Sequence, residues 1–222
     1  MKVSIVMPVF AFVNPQIVFL EEAIQSVLVQ THEDWELIIV DDGSQIEIEK
    51  AIPKDKRIKL YKKKHEGIAK ARNYGIKKMT GDVYMAHDAD DVSSPERLES
   101  LLEALKDGDV VYSSFYHASM EKAEMKIKKA KEFDFEKLKK DQYIPYFVMV
   151  KKDKMVPYRD RYTANDDWMF VLDLANSGAK FVKVDEPLMI YRRNPMSVSV
   201  RSMYDGRKIR EIKWIKEDIK KL

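Results

Sequence analysis

Three carboxylates follow an apolar run near the middle of the chain, and their spacing could bind a metal ion. Val83 to Ala86 has the composition of a buried strand, and Asp88, Asp90 and Asp91 come directly after it. Side chains alternate along an extended chain, so Asp88 and Asp90 should point the same way. Converging carboxylates repel each other, whereas a hard cation such as Mg²⁺ accepts carboxylate, water and phosphate oxygens. The segment therefore predicts a metal–diphosphate site.

The same residues also fit a structural interpretation. Asp90 or Asp91 could start a turn, and Ser94 could cap a helix that begins at Pro95. Both interpretations can hold together, because a cap at Ser94 uses neither Asp88 nor Asp90.

The composition limits the class of protein. A length of 222 residues suits one large domain, or one domain with an appendage, and 45% hydrophobic residues suit a globular core. The absence of cysteine excludes disulfides and thiolate metal sites, and it favours a reducing, cytoplasmic compartment. No apolar run approaches the roughly 18 residues that span a bilayer, and the N-terminus lacks a signal-peptide pattern. A net charge of +3 does not indicate nucleic-acid binding.

Alternating strands and helices are predicted to position the carboxylates. Strands are expected at 3–7, 37–40, 59–62, 83–86 and 110–115, and helices at 18–29, 67–79 and 95–105. This alternation predicts an α/β fold with a mainly parallel central sheet and helices on both faces. The strands' carboxyl ends then share one rim, where ligands bind in open α/β sheets. Asp41 and Asp42 follow one strand end, and Asp88 and Asp90 follow another.

The pattern changes after Phe115. Residues 120–140 are rich in lysine and glutamate, which indicates a solvated helix or a mobile insert. Beyond them we expect a strand at 143–150, a helix at 166–175, and two strands separated by a break at Pro187. An amphipathic tail helix is predicted at 209–222, with an apolar stripe formed by Ile209, Ile212, Ile215, Ile219 and Leu222.

Six ordered segments resemble glycosyltransferase family 2, whose members are inverting enzymes with the GT-A nucleotide-diphospho-sugar transferase fold. They are SIVMPVF at 4–10, AIQSVLVQTHEDWELIIVDDGS at 23–44, HEGIAKARNYGIKKMTGDVYMAHDADD at 65–91, SPERLE at 94–99, NDDW at 165–168 and EPLMIYRRNPMSVS at 186–199. The resemblance implies a catalytic domain over 1–200, with a nucleotide-sugar- and metal-binding half at 1–115 and an acceptor-side half at 116–200. Residues 201–222 would form a separate basic helix.

The resemblance implies transfer of a sugar from a nucleotide-diphosphate donor, such as a UDP-sugar, to an acceptor hydroxyl. Asp41 would accept a hydrogen bond from the imide N–H of uracil. Asp90 would be the direct ligand of Mn²⁺ or Mg²⁺, and Asp88 would hold the ribose or a metal-bound water. The full expected set of nucleotide-sugar-binding residues is Pro8, Val9, Phe10, Asp41, Asp42, Gly67, Lys70, Asp88, Ala89, Arg192 and Arg193. The two arginines have forked donors that suit a diphosphate, although surface salt bridges explain them equally well.

A pair of aspartates is expected to supply the catalytic base. Asp166 and Asp167 stand where the family usually has Glu-Asp, and the second member is the usual base. A single displacement needs only one such carboxylate, so we assign Asp167, with Asp166 as an alternate or supporting residue. Capping of the helix at 166–175 is the structural alternative. Asn194 stands where the family commonly has a histidine before a proline, so any role of that histidine is absent here.

The sequence gives less support to three other functions. A sugar nucleotidyltransferase needs a glycine-rich basic loop after the first strand, and the stretch PVFAFVNPQ has neither glycine nor a basic residue. A non-catalytic nucleotide- or glycan-binding module would not need Asp88, Asp90 and Asp167 intact. A transferase acting on modified DNA bases gains no support from the near-neutral charge. The expected acceptor is a glycan, a lipid-linked molecule or another hydroxyl compound.

The tail helix leaves three alternatives open. Its basic residues outnumber its acidic ones, so it could lie on an anionic membrane, as a peripheral contact at the inner face. Such a contact would suit a lipid-linked acceptor. The apolar stripe could instead pack on the catalytic domain or form a homodimer with a second copy of the chain.

Overall fold

The first half of the chain forms a parallel sheet. A computed structural model describes residues 1–222, apart from the side chain of Ser199. The strands are β1 (Val3–Val9), β2 (Trp35–Asp41), β3 (Ile58–Lys62) and β4 (Val83–Ala86), and the helices are α1 (Pro15–Leu28) and α2 (Ile68–Ile76). β1 pairs in parallel with β2 and β4, and β2 pairs in parallel with β3. These runs are rich in valine and isoleucine because helices cover both faces of the sheet.

The second half extends this sheet with mixed pairing. Its elements are β5 (Val92–Ser93), α3 (Arg97–Ala104), β6 (Val110–Ser119), β7 (Glu124–Lys128), α4 (Phe135–Leu138), β8 (Met149–Lys151), α5 (Asp166–Asn176), β9 (Phe181–Arg193), α6 (Val198–Tyr204) and α7 (Arg207–Ile219). The strand order is β3-β2-β1-β4-β8-β6-β9-β5, with β7 paired to β6. β8 is antiparallel to both neighbours, so the sheet is parallel on one side of β4 and mixed on the other.

Two apolar cores lie on opposite faces of the sheet. One contains Leu20 and Ile24 of α1 with Leu98 and Leu101 of α3. The second core contains residues of α2, α5 and α7, with Phe170 among its buried side chains. The predicted α/β fold with helices on both faces is therefore confirmed.

Three local predictions were wrong. Residues 120–140 form neither a long helix nor a simple insert, because β6 continues to Ser119 and pairs with β7 in a hairpin, with the short α4 following. The strand expected at 143–150 is reduced to β8, because the aromatic stretch before it packs as buried irregular chain. Pro187 does not divide β9. The proline cannot donate a ladder hydrogen bond, and shifts in the register between β9 and β6 accommodate it.

The tail helix packs on the domain through most of the predicted stripe, because Ile212, Ile219 and Leu222 pack against the core beside Ile215. Ile215 is fully buried in the core, whereas Ile209 is 63% exposed. The buried face of α7 also contains Glu211 and Asp218, whose carboxylates accept hydrogen bonds from residues 159–165. α6 spans the boundary predicted at residue 200. The two-part division of the chain and a membrane contact through exposed residues such as Ile209 stay predictions.

None of the helices described here, with the Ser199 side chain set aside, is long and apolar enough to cross a membrane.

Candidate active site

A cleft of about 220 Å³ opens where β1, β2 and β4 end. This is the rim predicted from the strand order, because the carboxyl ends of parallel strands meet there. Among the predicted site residues, the cleft is lined by Pro8, Val9, Phe10, Asp42, Asp88, Ala89, Asp90, Asp166 and Asp167. The structure thus brings the carboxylates after β4 and those at the start of α5 to one cavity, although about 75 residues separate them in the sequence.

The two predicted metal ligands have different partners. Asp88 Oδ1 accepts a hydrogen bond from Arg72 Nη2 at 2.8 Å, and Asp90 Oδ2 accepts one from Asn194 Nδ2 at 2.8 Å. Burial, together with the charge of Asp88, raises the pKa of Asp90 to about 6. Asp90 therefore has too little compensating positive charge around it.

A hard divalent cation fits this donor set. Carboxylate oxygens are the ligands that Mg²⁺ and Mn²⁺ prefer, and a cation would supply the charge that Asp90 lacks. Among the described residues, no group of three or more His, Cys, Asp or Glu side chains could hold an ion. Asp88 and Asp90 would hold such an ion, and water and donor phosphates would complete its coordination.

The third carboxylate of the segment is structural. Asp91 is buried and accepts hydrogen bonds from the Tyr146 hydroxyl and, at 2.7 Å, from the Arg192 backbone N–H. Burial raises the pKa of Asp91 well above its usual range. The helix cap suggested at Ser94 is wrong, because α3 begins only at Arg97 and the buried Ser94 hydroxyl has no hydrogen-bond partner.

Arg72 joins the two halves of the site, and sequence analysis did not identify it. Its guanidinium donates to Asp88 and to Asp166, and it lies between the rings of Tyr146 and Tyr158, at 5.5 and 5.3 Å from their centroids. The only sequence signal is an arginine among small residues on the inner face of α2, beside the buried Ala69 and Ala71.

Asp166 and Asp167 differ in how they are held. Asp166 is paired with Arg72, whereas Asp167 Oδ2 accepts a hydrogen bond from Gln142 Nε2 at 2.7 Å and its Oδ1 accepts one from Trp168 N at 2.8 Å. Burial raises the pKa of Asp166 to about 7 even though Arg72 lowers it, and burial also raises the pKa of Asp167. A carboxylate with a raised pKa is a better proton acceptor near neutral pH.

Three residues expected to contact the donor, Asp41, Gly67 and Lys70, are not among those that line the cleft. Asp41 Oδ1 accepts from Ser44 N at 2.8 Å, which closes the turn after β2. Asp42 accepts from Lys63 Nζ at 2.6 Å and from Gly67 N at 2.8 Å. Asp42 therefore orders the loop before α2, where Gly67 has a φ of 100°. The contacts of Asp41, Gly67 and Lys70 with a nucleotide stay predictions.

The two arginines predicted at the diphosphate lie beside the cleft. The Arg192 guanidinium contacts the Glu22 carboxylate and the backbone oxygen of Asp90, which matches its salt-bridge alternative. Arg193 pairs with Ser119 at the end of β9. Diphosphate binding by either arginine stays a prediction. Arg201 of α6 lines the cleft instead, and sequence analysis did not single it out.

Two stacked rings form part of the lining of the cleft. The rings of Phe10 and His65 lie with centroids 4.1 Å apart and an interplanar angle of 23°. His65 Nδ1 lies 2.8 Å from Asp42 Oδ2. The stack offers a flat surface of the kind on which a nucleobase binds.

The chain resembles known glycosyltransferases in sequence and in fold. It is 32% identical to an uncharacterised glycosyltransferase of Haemophilus influenzae over 77% of this chain and 70% of that protein. It is 40% identical to the uncharacterised glycosyltransferase RC0461 of Rickettsia conorii over 54% of this chain, and it spans about a fifth of that relative's length. The solved structure of S. aureus TarS 1-349 in complex with UDP-GlcNAc superposes with a TM-score of 0.71 at 15% identity, over 90% of this chain and 60% of that one.

The residues that match extend from β1 to the residue before α5, and they include most of the residues that line the cleft. Residues 4–165 fit the family described as Glycosyl transferase family 2. The resemblance inferred from the sequence is therefore confirmed, and the chain belongs to glycosyl transferase family 2.

Proposed function

We propose that the chain is an inverting, metal-assisted glycosyltransferase that moves a sugar from a UDP-sugar to an acceptor hydroxyl. The observation that supports this most strongly is the joining of two carboxylate pairs in one cleft through Arg72. One pair is suited to a metal and a diphosphate, and the other is suited to accepting a proton. This combination is what a single displacement at a sugar carbon requires.

The proposed donor is a uridine diphosphate sugar. The solved TarS structure with the same fold holds UDP-GlcNAc, which supports this donor class for the present chain. Pro8 and the Phe10–His65 stack are placed to contact the base at one end of the cleft. At the diphosphate, Asp88 and Asp90 would hold Mn²⁺ or Mg²⁺, which supplies positive charge to the leaving group.

The proposed base is Asp167. Its carboxylate lines the cleft and is oriented by Gln142, so it can accept the proton of an acceptor hydroxyl bound on that side. The Arg72 guanidinium occupies Asp166 Oδ2, so this carboxylate is less available to an acceptor hydroxyl and is assigned a supporting role. The acceptor hydroxyl would then attack from the face opposite the leaving diphosphate, which inverts the anomeric centre.

Donor binding by the metal pair can be tested without knowing the acceptor. In the presence of Mn²⁺, UDP-GlcNAc at about 100 times its Kd should stabilise the wild type by about 2.7 kcal/mol, which a thermal shift detects. The Asp90→Asn variant should lose most of this stabilisation, and Asp88→Asn should lose less. Asp185→Asn is the control, because this exposed carboxylate pairs only with Lys183 among the ion pairs of the described chain.

Two outcomes would contradict the proposal. Full donor stabilisation of Asp90→Asn in the presence of a chelator would exclude the metal assignment. Donor binding without any metal-dependent hydrolysis or transfer would instead favour a nucleotide-binding module. Once an acceptor is found, the anomeric configuration of the product, measured by NMR, tests inversion.

A further inference from the structure

We propose that Glu211, on the C-terminal helix, is a positioning residue that holds the Asp166–Asp167 pair in place. The inference rests on the proposed function, because it assigns Asp167 to the chemistry. Glu211 does not line the cleft, so its influence would pass through the loop at residues 163–165. The tail helix would then be a working part of the active site.

The Glu211 carboxylate binds this loop with an unusual number of donors. Its Oε1 accepts from the backbone N–H and the hydroxyl of Thr163, both at 2.8 Å. Its Oε2 accepts from the backbone N–H groups of Ala164 and Asn165, both at 3.0 Å, and from Asn165 Nδ2 at 3.2 Å. Three successive backbone donors thus converge on one carboxylate that is only 2% exposed.

Glu211 holds the loop that leads into the helix carrying the catalytic pair. Asn165 is the N-cap residue of α5, yet its own side chain makes no capping bond within the helix. The first N–H groups of a helix need acceptors, and a negative charge at this end is favourable. From a distant part of the chain, Glu211 binds the N–H of the N-cap residue Asn165 and places a negative charge near this end of the helix. Because Asp166 and Asp167 come directly after Asn165, the fixed loop fixes where their side chains begin.

The loop also touches the cleft directly. Ala164 is one of the residues that line the cleft, and it belongs to the loop that Glu211 binds, just before the carboxylate pair. A loosened loop would let Asp167 move relative to Gln142, and Asp166 relative to Arg72. Displacements of about 1 Å at a reacting group cost on the order of 10²-fold in rate.

Asp218 provides a matched control on the same helix. It lies two turns after Glu211, is similarly buried, and accepts from the Tyr162 hydroxyl at 2.7 Å and from Arg159 at 3.0 Å. These contacts anchor α7 to the domain without binding residues 163–165. Loss of Asp218 should therefore weaken the packing of α7 on the domain while leaving the hydrogen bonds of Glu211 to residues 163–165 intact.

The test compares Glu211→Gln with Asp218→Asn. We expect Glu211→Gln to lower kcat for UDP-GlcNAc hydrolysis with Mn²⁺ by about 10- to 100-fold, with the donor KM within about twofold of wild type. Asp218→Asn should lower the Tm at least as much as Glu211→Gln does, while its kcat stays within about twofold of wild type. Hydrogen exchange should show faster exchange of the amides of residues 163–165 in Glu211→Gln only.

The outcomes separate the inference from the proposed function. If the wild type turns over no donor, the proposed function fails, and exchange at 163–165 still decides whether Glu211 holds the loop. If the wild type is active but Glu211→Gln has normal kcat, or Asp218→Asn loses as much kcat, the positioning role is overturned. Should Glu211→Gln fail to fold, Glu211→Asp keeps the charge but withdraws the carboxylate. It should show a smaller loss of kcat with the same exchange pattern, and wild-type values for both would overturn the inference.

Discussion

Neighbouring carboxylates acquire different properties from the groups that surround them. Asp166 and Asp167 are adjacent in sequence, yet one is paired with a buried guanidinium and the other with a neutral amide. The guanidinium occupies Asp166 Oδ2, whereas the amide of Gln142 orients the Asp167 carboxylate without a counter-charge of its own. The geometry therefore supports Asp167 over Asp166 as the base.

Asp167→Asn should reduce turnover by about 10²–10⁴-fold, because the amide has nearly the same shape but cannot accept the proton. Donor affinity should stay within about twofold, since the change is on the acceptor side of the cleft. Steady-state donor hydrolysis and calorimetric binding of UDP-GlcNAc measure the two quantities. If Asp166→Asn is the more damaging change and its donor binding is normal, the roles within the pair are reversed.

Arg72→Met should destabilise the fold by about 3–5 kcal/mol, because Asp88 and Asp166 lose the buried cation that they share. The loss should depend on pH. Folding raises the pKa of Asp166 from 3.8 to about 7, so the folded chain binds this proton more tightly than the unfolded chain. The free energy of unfolding therefore falls as pH rises between these values, and without Arg72 the fall should continue to higher pH, because the pKa of Asp166 rises further.

Urea denaturation of the wild type and of Arg72→Met at pH values below and above 7 measures where this fall ends in each protein. Arg207→Met is the control, because Arg207 pairs at the surface with Asp205 and its removal should cost about 1 kcal/mol or less. An Arg72→Met variant with a pH-independent loss of stability would show that Asp166 is not the group left uncompensated.

At the scale of elements, one buried glutamate ties the strands together at the end of the sheet away from the cleft. Glu36 of β2 accepts from Ser4 Oγ of β1 at 2.7 Å, from Lys59 Nζ of β3 at 2.9 Å and from Thr80 N at 2.6 Å. Burial by itself raises the pKa of Glu36, but the hydrogen bonds from Lys59, Thr80 and Ser4 outweigh it and lower the pKa to about 2. The start of β4 is thereby fixed relative to β1 and β2.

Glu36→Gln should lower the free energy of unfolding at neutral pH by about 1.5–3 kcal/mol, the usual range for hydrogen bonds to a charged group. The folded pKa lies below the unfolded value of 4.5, so this stability is complete above that value and is lost as pH falls toward 2. Urea titrations of both proteins should converge in acid. Curves that stay equally far apart at every pH would contradict the charged state of Glu36.

At the scale of the whole molecule, the end of the chain returns to the centre of the second core. Ile215 of α7 is fully buried there with residues of α2 and α5, so the tail helix contributes to the same core as these two helices. The exposed Ile209 lies on the same predicted stripe but outside this contact.

Ile215→Ala should therefore cost about 2–5 kcal/mol of stability, the usual range when a large buried side chain is truncated. Ile209→Ala should change the free energy of unfolding by about 0.5 kcal/mol or less, as surface substitutions do. Chemical denaturation compares the two variants. Equal small effects would mean that the tail is not part of the core, and would return the membrane alternative to consideration.

The sequence by itself determined the elements of the first half and the carboxylates at the strand ends. Strand and helix periodicities are local properties, so β1 to β4, α1 and α2 were located within a few residues. The position of Asp88 and Asp90 after a buried strand followed from the same local pattern. These features need no knowledge of distant contacts, and they sufficed to predict the fold class and the family.

Only the tertiary structure decided which side chains share an environment. Arg72 and Glu211 have ordinary local patterns, and their importance comes from partners about 94 and 46–48 residues away in sequence. Arg192 was expected either at a phosphate or in a surface salt bridge, and its contact with Glu22 appears only in the folded chain. The lysine-rich stretch forms β7 because it pairs with the edge of β6. Charged groups are placed by the compensating charges and hydrogen bonds available after folding, and the periodicity of the sequence carries no information about those partners.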